Sequence, residues 1–204
     1  CTKTNNFMTT QEFPHQHTAH CESGVMSTLL KYHGHNLDEA MIFGIAHALT
    51  FVWMPLIKLN GMPLVSYRTA PRSIIKNTCK ALGLKLSVRK FSDAQSGQAA
   101  LDTALSSGKL AGLQTSVFWL PYFPPQMRFH FNAHNLLVYG KDGNDYLISD
   151  PVFETVQRCA AEDLQRARFA KGVLAAKGMM YTLEDNRPSE KIMADLPAII
   201  RKAI

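Results

Sequence analysis

The chain has 204 residues, 46% of them hydrophobic, with a formal net charge of +6 and a pI of about 9.2. That length supports one domain with a sizeable core. No apolar run reaches the ~20 residues that span a bilayer, since 46–59 is broken by His47, Pro55 and Lys58. Four widely spaced cysteines without CxxC pairs argue against zinc fingers and a dense disulfide framework, and no nucleic-acid-binding motif is present, so a reducing cytoplasm and no nucleic-acid partner are expected.

Cys1 precedes a polar stretch without catalytic context, so residues 1–16 read as an extended arm. Methionine removal or a chain boundary is expected at Cys1, ahead of a lipidated terminus or an N-terminal nucleophile. Residues 22–32 carry Val25, Met26, Leu29 and Leu30 at helical spacing, and Gly34 stops that helix. Asn36 or Asp38 starts a second helix through Ala48, with Met41, Ile42, Ile45 and Leu49 on its apolar face. Strand-like runs at 51–56 and 64–67 flank the turn Asn60-Gly61-Met62-Pro63. Pro71 opens a helix to Leu82 that Gly83 closes, 84–88 alternates as a strand, and 93–107 is a helix ended by Gly108. An apolar strand at 110–120 and a Pro-rich loop at 121–125 lead to a hairpin of 129–140 and 145–149 across Lys141-Asp142-Gly143-Asn144. A helix at 162–170 and a strand at 179–183 follow. Residues 195–204 begin a basic amphipathic helix without a cap, as expected of a chain that continues or of a short form. Helices first and antiparallel strands second predict an α+β domain over 17–185 and a tail over 186–204.

The chemistry gathers around Cys21, in Ala19-His20-Cys21-Glu22-Ser23-Gly24 at a helix start. A helix N-terminus and a nearby imidazolium both favour the thiolate. His134 on one strand and Asp150 at the end of the next can meet that thiol in space, giving a nucleophile, a base and an orienting acid. Gln16 is the candidate second oxyanion donor beside the nucleophile's own N–H, with His15, His17 and His20 as rivals. His20, Glu22, Asn132 and Asn135 are candidate supporting groups, Asn132 sharing the strand face of His134. Trp119, Tyr122 and Phe123, with Phe118, are candidate walls of an acyl channel. Cys79 and Cys159 read as core thiols. His15, His17, His20, His33 and His35 match no closed metal motif, and no metal or bound cofactor is expected. Basic residues cluster at Lys76, Lys80, Lys85, Arg89 and Lys90, and again at Arg158, Arg166, Arg168 and Lys171, as a docking surface for an acidic partner would.

Phe13-Pro14 with His20-Cys21-Glu22-Ser23, then Gly34-His35-Asn36-Leu37-Asp38-Glu39-Ala40-Met41-Ile42-Phe43-Gly44-Ile45, resembles the N-terminal domain of the butirosin-biosynthesis acyltransferase family. There a His-Cys-Glu segment precedes a helix and a Leu-Ser-Glu segment follows; Asp38 stands here in place of the Ser. His134-Asn135-Leu136-Leu137-Val138-Tyr139-Gly140 with Tyr146-Leu147-Ile148-Ser149-Asp150-Pro151 is similar to C39-type cysteine peptidases, which follow their cysteine with glycine where this chain has Glu22. The resemblance covers most of 13–183 and implies a papain-like (C39-like) fold with N-terminal helices packed on an antiparallel sheet. It implies an acyltransferase that moves an acyl group from a carrier-protein or coenzyme A thioester, through acyl-Cys21, to an amine or hydroxyl of a small-molecule acceptor. An acidic acyl-carrier protein is the implied partner and the phosphopantetheine-linked thioester a substrate. A C39-like peptidase or amidase and a non-catalytic papain-like binding module are the rival readings.

Overall fold

Nine consecutive residues of the first helix, Glu22 to Leu30, are buried, so α1 (Cys21–Tyr32) is the central helix. The computed structural model describes residues 13–59, 61–185 and 187–203; Cys1 and most of the expected arm lie outside the described residues. After α1 come α2 (Glu39–Ile45), the ribbon β1 (Leu49–Leu59) and β2 (Met62–Arg68), α3 (Ser73–Leu82), β3 (Lys85–Arg89) and α4 (Ala94–Ser106). Then follow β4 (Ala111–Thr115), β5 (His134–Asp142), β6 (Asp145–Ser149), β7 (Gln157–Ala160), α5 (Ala161–Arg168), β8 (Met180–Asp185) and α6 (Ser189–Ala203).

Six strands form one antiparallel sheet in the order β3-β8-β4-β5-β6-β7, while β1 and β2 pair only with each other. Alternation along β5 sends Leu137 and Tyr139 into a core with α1, α2, α3 and α6, and Leu136 and Val138 into a second core with α4 and α5. The fold is α+β and papain-like, with helices on both faces of the sheet. Among the described residues, no helix is long and apolar enough to cross a membrane.

Several elements differ from the sequence expectation, each for a physical reason. His47 takes a left-handed conformation (φ 50°) just after α2, so Leu49 leaves the helix and stands 80% exposed in β1. The apolar run 110–120 is a strand only to Thr115 and then a 3-10 turn at Val117–Trp119, where Val117 and Leu120 still enter the second core. Its hydrophobicity records burial rather than strand continuity. Residues 129–133 form a loop before β5, held by Phe131 N–H on Phe129 O and Val117 N–H on Phe131 O. The edge strand β7 has a single buried residue, Cys159, too few for a period-two signal. In α6, Pro197 lies inside the helix, although from sequence a proline marks a helix start. Ile192 and Leu196 of α6 enter the first core, so the segment expected as a tail packs on the domain.

Candidate active site

The loop before α1 is tied to the loop after β6. Thr18 N–H donates to Pro151 O at 2.9 Å. His15 Nε2 donates to Phe153 O at 2.9 Å, leaving Nδ1 to accept from Ser149 Oγ at 2.7 Å. Gly24 in the first turn of α1 lets these segments meet: a Cβ there would overlap Thr18 Oγ1 and lie 2.8 Å from Pro151 Cβ. These contacts set the start of α1 against the end of β6, at the seam between the two cores.

His134 Nε2 and Asp150 Oδ2 are 2.8 Å apart, both side chains buried. With Nε2 engaged, Nδ1 is the ring nitrogen left for the Cys21 thiol, which hydrogen-bonds to His134 and also accepts from the Asn135 backbone N–H. Burial pushes the Cys21 thiol up, but these two hydrogen bonds and the His134 charge more than offset it, and its pKa falls below the ordinary value. Burial disfavours charge on His134 as well, yet Asp150 and Cys21 outweigh it and raise the imidazole to about 10. A lowered thiol beside a raised imidazole favours the thiolate–imidazolium pair. Burial instead drives Cys79 and Cys159 up to about 12, as inert core thiols require.

Asp150 is held on every side. Its Oδ1 accepts from Val152 N–H at 3.1 Å and its Oδ2 from the Tyr122 hydroxyl at 2.9 Å. Phe123 packs edge-on against the His134 ring, centroids 5.4 Å apart, and against Phe153. Tyr122 and Phe123, expected as channel walls, therefore back the His134–Asp150 pair. Trp119 lies at the surface beneath the Arg166 guanidinium. No sequence pattern signals the Tyr122–Asp150 bond, because it joins residues that meet only across folded loops.

Glu22 serves a different element from the one expected. Its buried carboxylate accepts from the backbone N–H groups of Arg72 (3.1 Å), Ile74 (3.0 Å) and Ile75 (3.3 Å), and pairs with Arg68 at 3.3 Å. Arg72 (φ 77°) offers no side-chain cap to α3, so Glu22 supplies one from another helix. His20 caps α1. Its Nε2 accepts from Arg68 at 2.5 Å, which leaves Nδ1 to donate to Ser23 Oγ, and Ser23 in turn donates to Glu39 at 3.0 Å. Burial, then Arg68, lowers its pKa to about 4, so this imidazole stays neutral.

Gln16 is anchored to α1 through Ser27, whose Oγ donates to its Oε1 at 3.1 Å. Asn132 precedes β5 rather than lying in it, so it does not share a strand face with His134. Its amide donates to Lys171 O and Val173 O and holds that loop. Asn135 contributes its backbone to Cys21 while its side chain bonds Ala133 O and the Tyr181 hydroxyl. The second basic cluster is not a free cationic surface: Arg168 is fully buried on Gly97 O, Arg158 pairs with Asp142 and Asp145, and Arg166 with Glu162 and Asp163. Lys76, Lys80, Lys85, Arg89 and Lys90 are exposed. Among the described residues, no group of three or more His, Cys, Asp or Glu gathers to hold a metal.

Residues 20–151 match the family described as butirosin biosynthesis protein H, N-terminal. Among solved structures, a protein described as a C39-like peptidase from Bacillus anthracis aligns with a TM-score of 0.58 at 13% identity, covering 90% of this chain and 97% of that one. The peptidase domain of Streptococcus ComA, a bifunctional ABC transporter involved in a quorum-sensing pathway, aligns with a TM-score of 0.52 at 16% identity, covering 86% and 100%. A comparison with curated proteins returns no match.

Proposed function

From the premise that this chain belongs to the butirosin biosynthesis protein H N-terminal family, we propose that it is a cysteine-dependent acyltransferase working through acyl-Cys21. The observation that carries this reading is the Cys21 thiol, shifted down beside a His134 that Asp150 holds and charges. The Cys21 thiolate attacks the carbonyl carbon of a thioester, the carbon–sulfur bond to the donor breaks, and the departing thiolate takes the proton from His134. An amine or hydroxyl then gives a proton back to His134 and attacks the acyl-Cys21 carbonyl, which frees the thiolate. The Cys21 backbone N–H and the Gln16 amide are the proposed oxyanion donors. A phosphopantetheine thioester on an acidic acyl-carrier protein is the proposed donor, and the exposed lysines of α3 and β3 suit its charge. A small molecule is the proposed acceptor.

Hydrolysis is the same sequence with water as acceptor, and the peptidase likeness of the two structural neighbours supports that second reading. Intact-mass spectrometry after mixing with acyl-carrier and acyl-coenzyme A thioesters separates the two. A transferase gains an acyl mass that Cys21→Ala lacks and that amines discharge. Absence of any adduct, with Cys21 still alkylated rapidly by iodoacetamide, sinks the transferase reading in favour of a peptidase.

A further inference from the structure

The β1–β2 ribbon exposes an apolar surface that the proposed chemistry does not use. Leu49, Phe51 and Trp53 of β1 and Val65 and Tyr67 of β2 stand on its open face at 44–80% exposure, with Trp53 opposite Val65 and the Phe51 and Tyr67 rings 5.6 Å apart. Near the tip, Leu56 is 96% and Met62 69% exposed. Neither strand joins the six-stranded sheet, so among the described residues both outer edges are unpaired. A lone two-stranded ribbon is marginal in water and needs cover.

Charge decides what covers it. The open face carries no ionic group, for Lys58 lies toward the tip and the Arg68 guanidinium turns inward to Glu22 and His20. An acidic protein or an anionic bilayer would find its cations on α3 and β3 instead, between Glu39 and Asp93, where the sequence has no carboxylate side chain. An uncharged aromatic face is the composition of a homodimer interface. At roughly 150–250 Å² for a whole aromatic side chain, the exposed ribbon side chains offer on the order of 1,000 Å². A standard interface buries about 800 Å² per partner.

We propose that the ribbon is a dimerisation arm, laid by each of two copies against the other about a two-fold axis. The inference stands apart from the transferase reading, because mass is read without turnover. Light scattering after size exclusion, over a wide concentration range, tests it on the wild type, on Trp53→Lys and Phe51→Ser, and on a Lys76→Glu, Lys80→Glu double variant. The expected result is a wild-type dimer, monomers for both ribbon variants with far-UV circular dichroism and Cys21 alkylation unchanged, and a dimer for the lysine variant. A monomeric wild type overturns the proposal without any variant having to fold. A dimer that survives both ribbon substitutions also overturns it, as does a monomer whose Trp53 is needed to bind an acidic carrier protein or phosphatidylserine vesicles.

Discussion

The corner around Cys21 and the β1–β2 ribbon meet at Arg68, the last residue of β2, yet they treat water in opposite ways. In the corner, His134, Asp150 and Glu22 are buried and each is hydrogen-bonded. On the ribbon, large apolar side chains are left in water. A buried polar group without its partner is costly, so the corner is determined from within the chain. Apolar surface left exposed is costly in the other direction, and that deficit points outward to a second molecule.

The strongest way to break this contrast is to remove a partner inside the corner. Asp150→Asn is expected to lower turnover by about 10²–10⁴-fold and to bring the alkaline limb of turnover to lower pH. The sign follows from His134: Asp150 raises its pKa, so without that charge the imidazolium is lost sooner as pH rises. In the wild type, alkylation falls only below the lowered thiol pKa, while turnover, in which the departing thiolate takes the His134 proton, holds until His134 deprotonates near its raised one. Iodoacetamide alkylation against pH reads the acid limb and turnover against pH the alkaline one; a thiol titrating at its ordinary value would dissolve the contrast.

Glu22→Ala leaves Arg68 unpaired and the first turn of α3 uncapped, and is expected to cost about 3 kcal/mol in urea denaturation. The lower end of the range for buried pairs applies because the Arg68 side chain is 24% exposed. Gly24→Ala forces Thr18 and Pro151 away from α1 and is expected to cost about 2 kcal/mol, with alkylation of Cys21 slowed as the loops separate. Tyr122→Phe removes one hydrogen bond to Asp150 and is expected to cost about 1 kcal/mol, read as a several-fold fall in kcat. The smallest effect belongs to the ribbon. Leu56→Ser, at a side chain 96% exposed, is expected to shift the stability of the monomer by less than about 0.5 kcal/mol.

What was legible in the sequence followed from local chemistry. The helix after Cys21, the Gly83 stop of α3, the hairpin across Gly143 and the α+β class rest on periodicity and turn residues that act within a few positions. Cys21 stood out from Cys79 and Cys159 because it lies at a helix start between His20 and Glu22. The period-two pattern at 129–133 misled, since alternation reports a strand only where a neighbouring strand is present to pair with it.

The sequence by itself determined the order of helices and strands apart from β7, the presence of a thiol at a helix start and the excess of positive charge between Glu39 and Asp93. Only the tertiary structure decided that Glu22 caps α3, that Tyr122 and Phe123 stand behind His134 and Asp150, that Arg168 is buried, and that the apolar strands of 49–68 face water. The reason is common to all four: residue type and spacing fix what a side chain can offer. Which groups lie within about 3 Å of it is set by long-range packing, and no short window of sequence contains that packing.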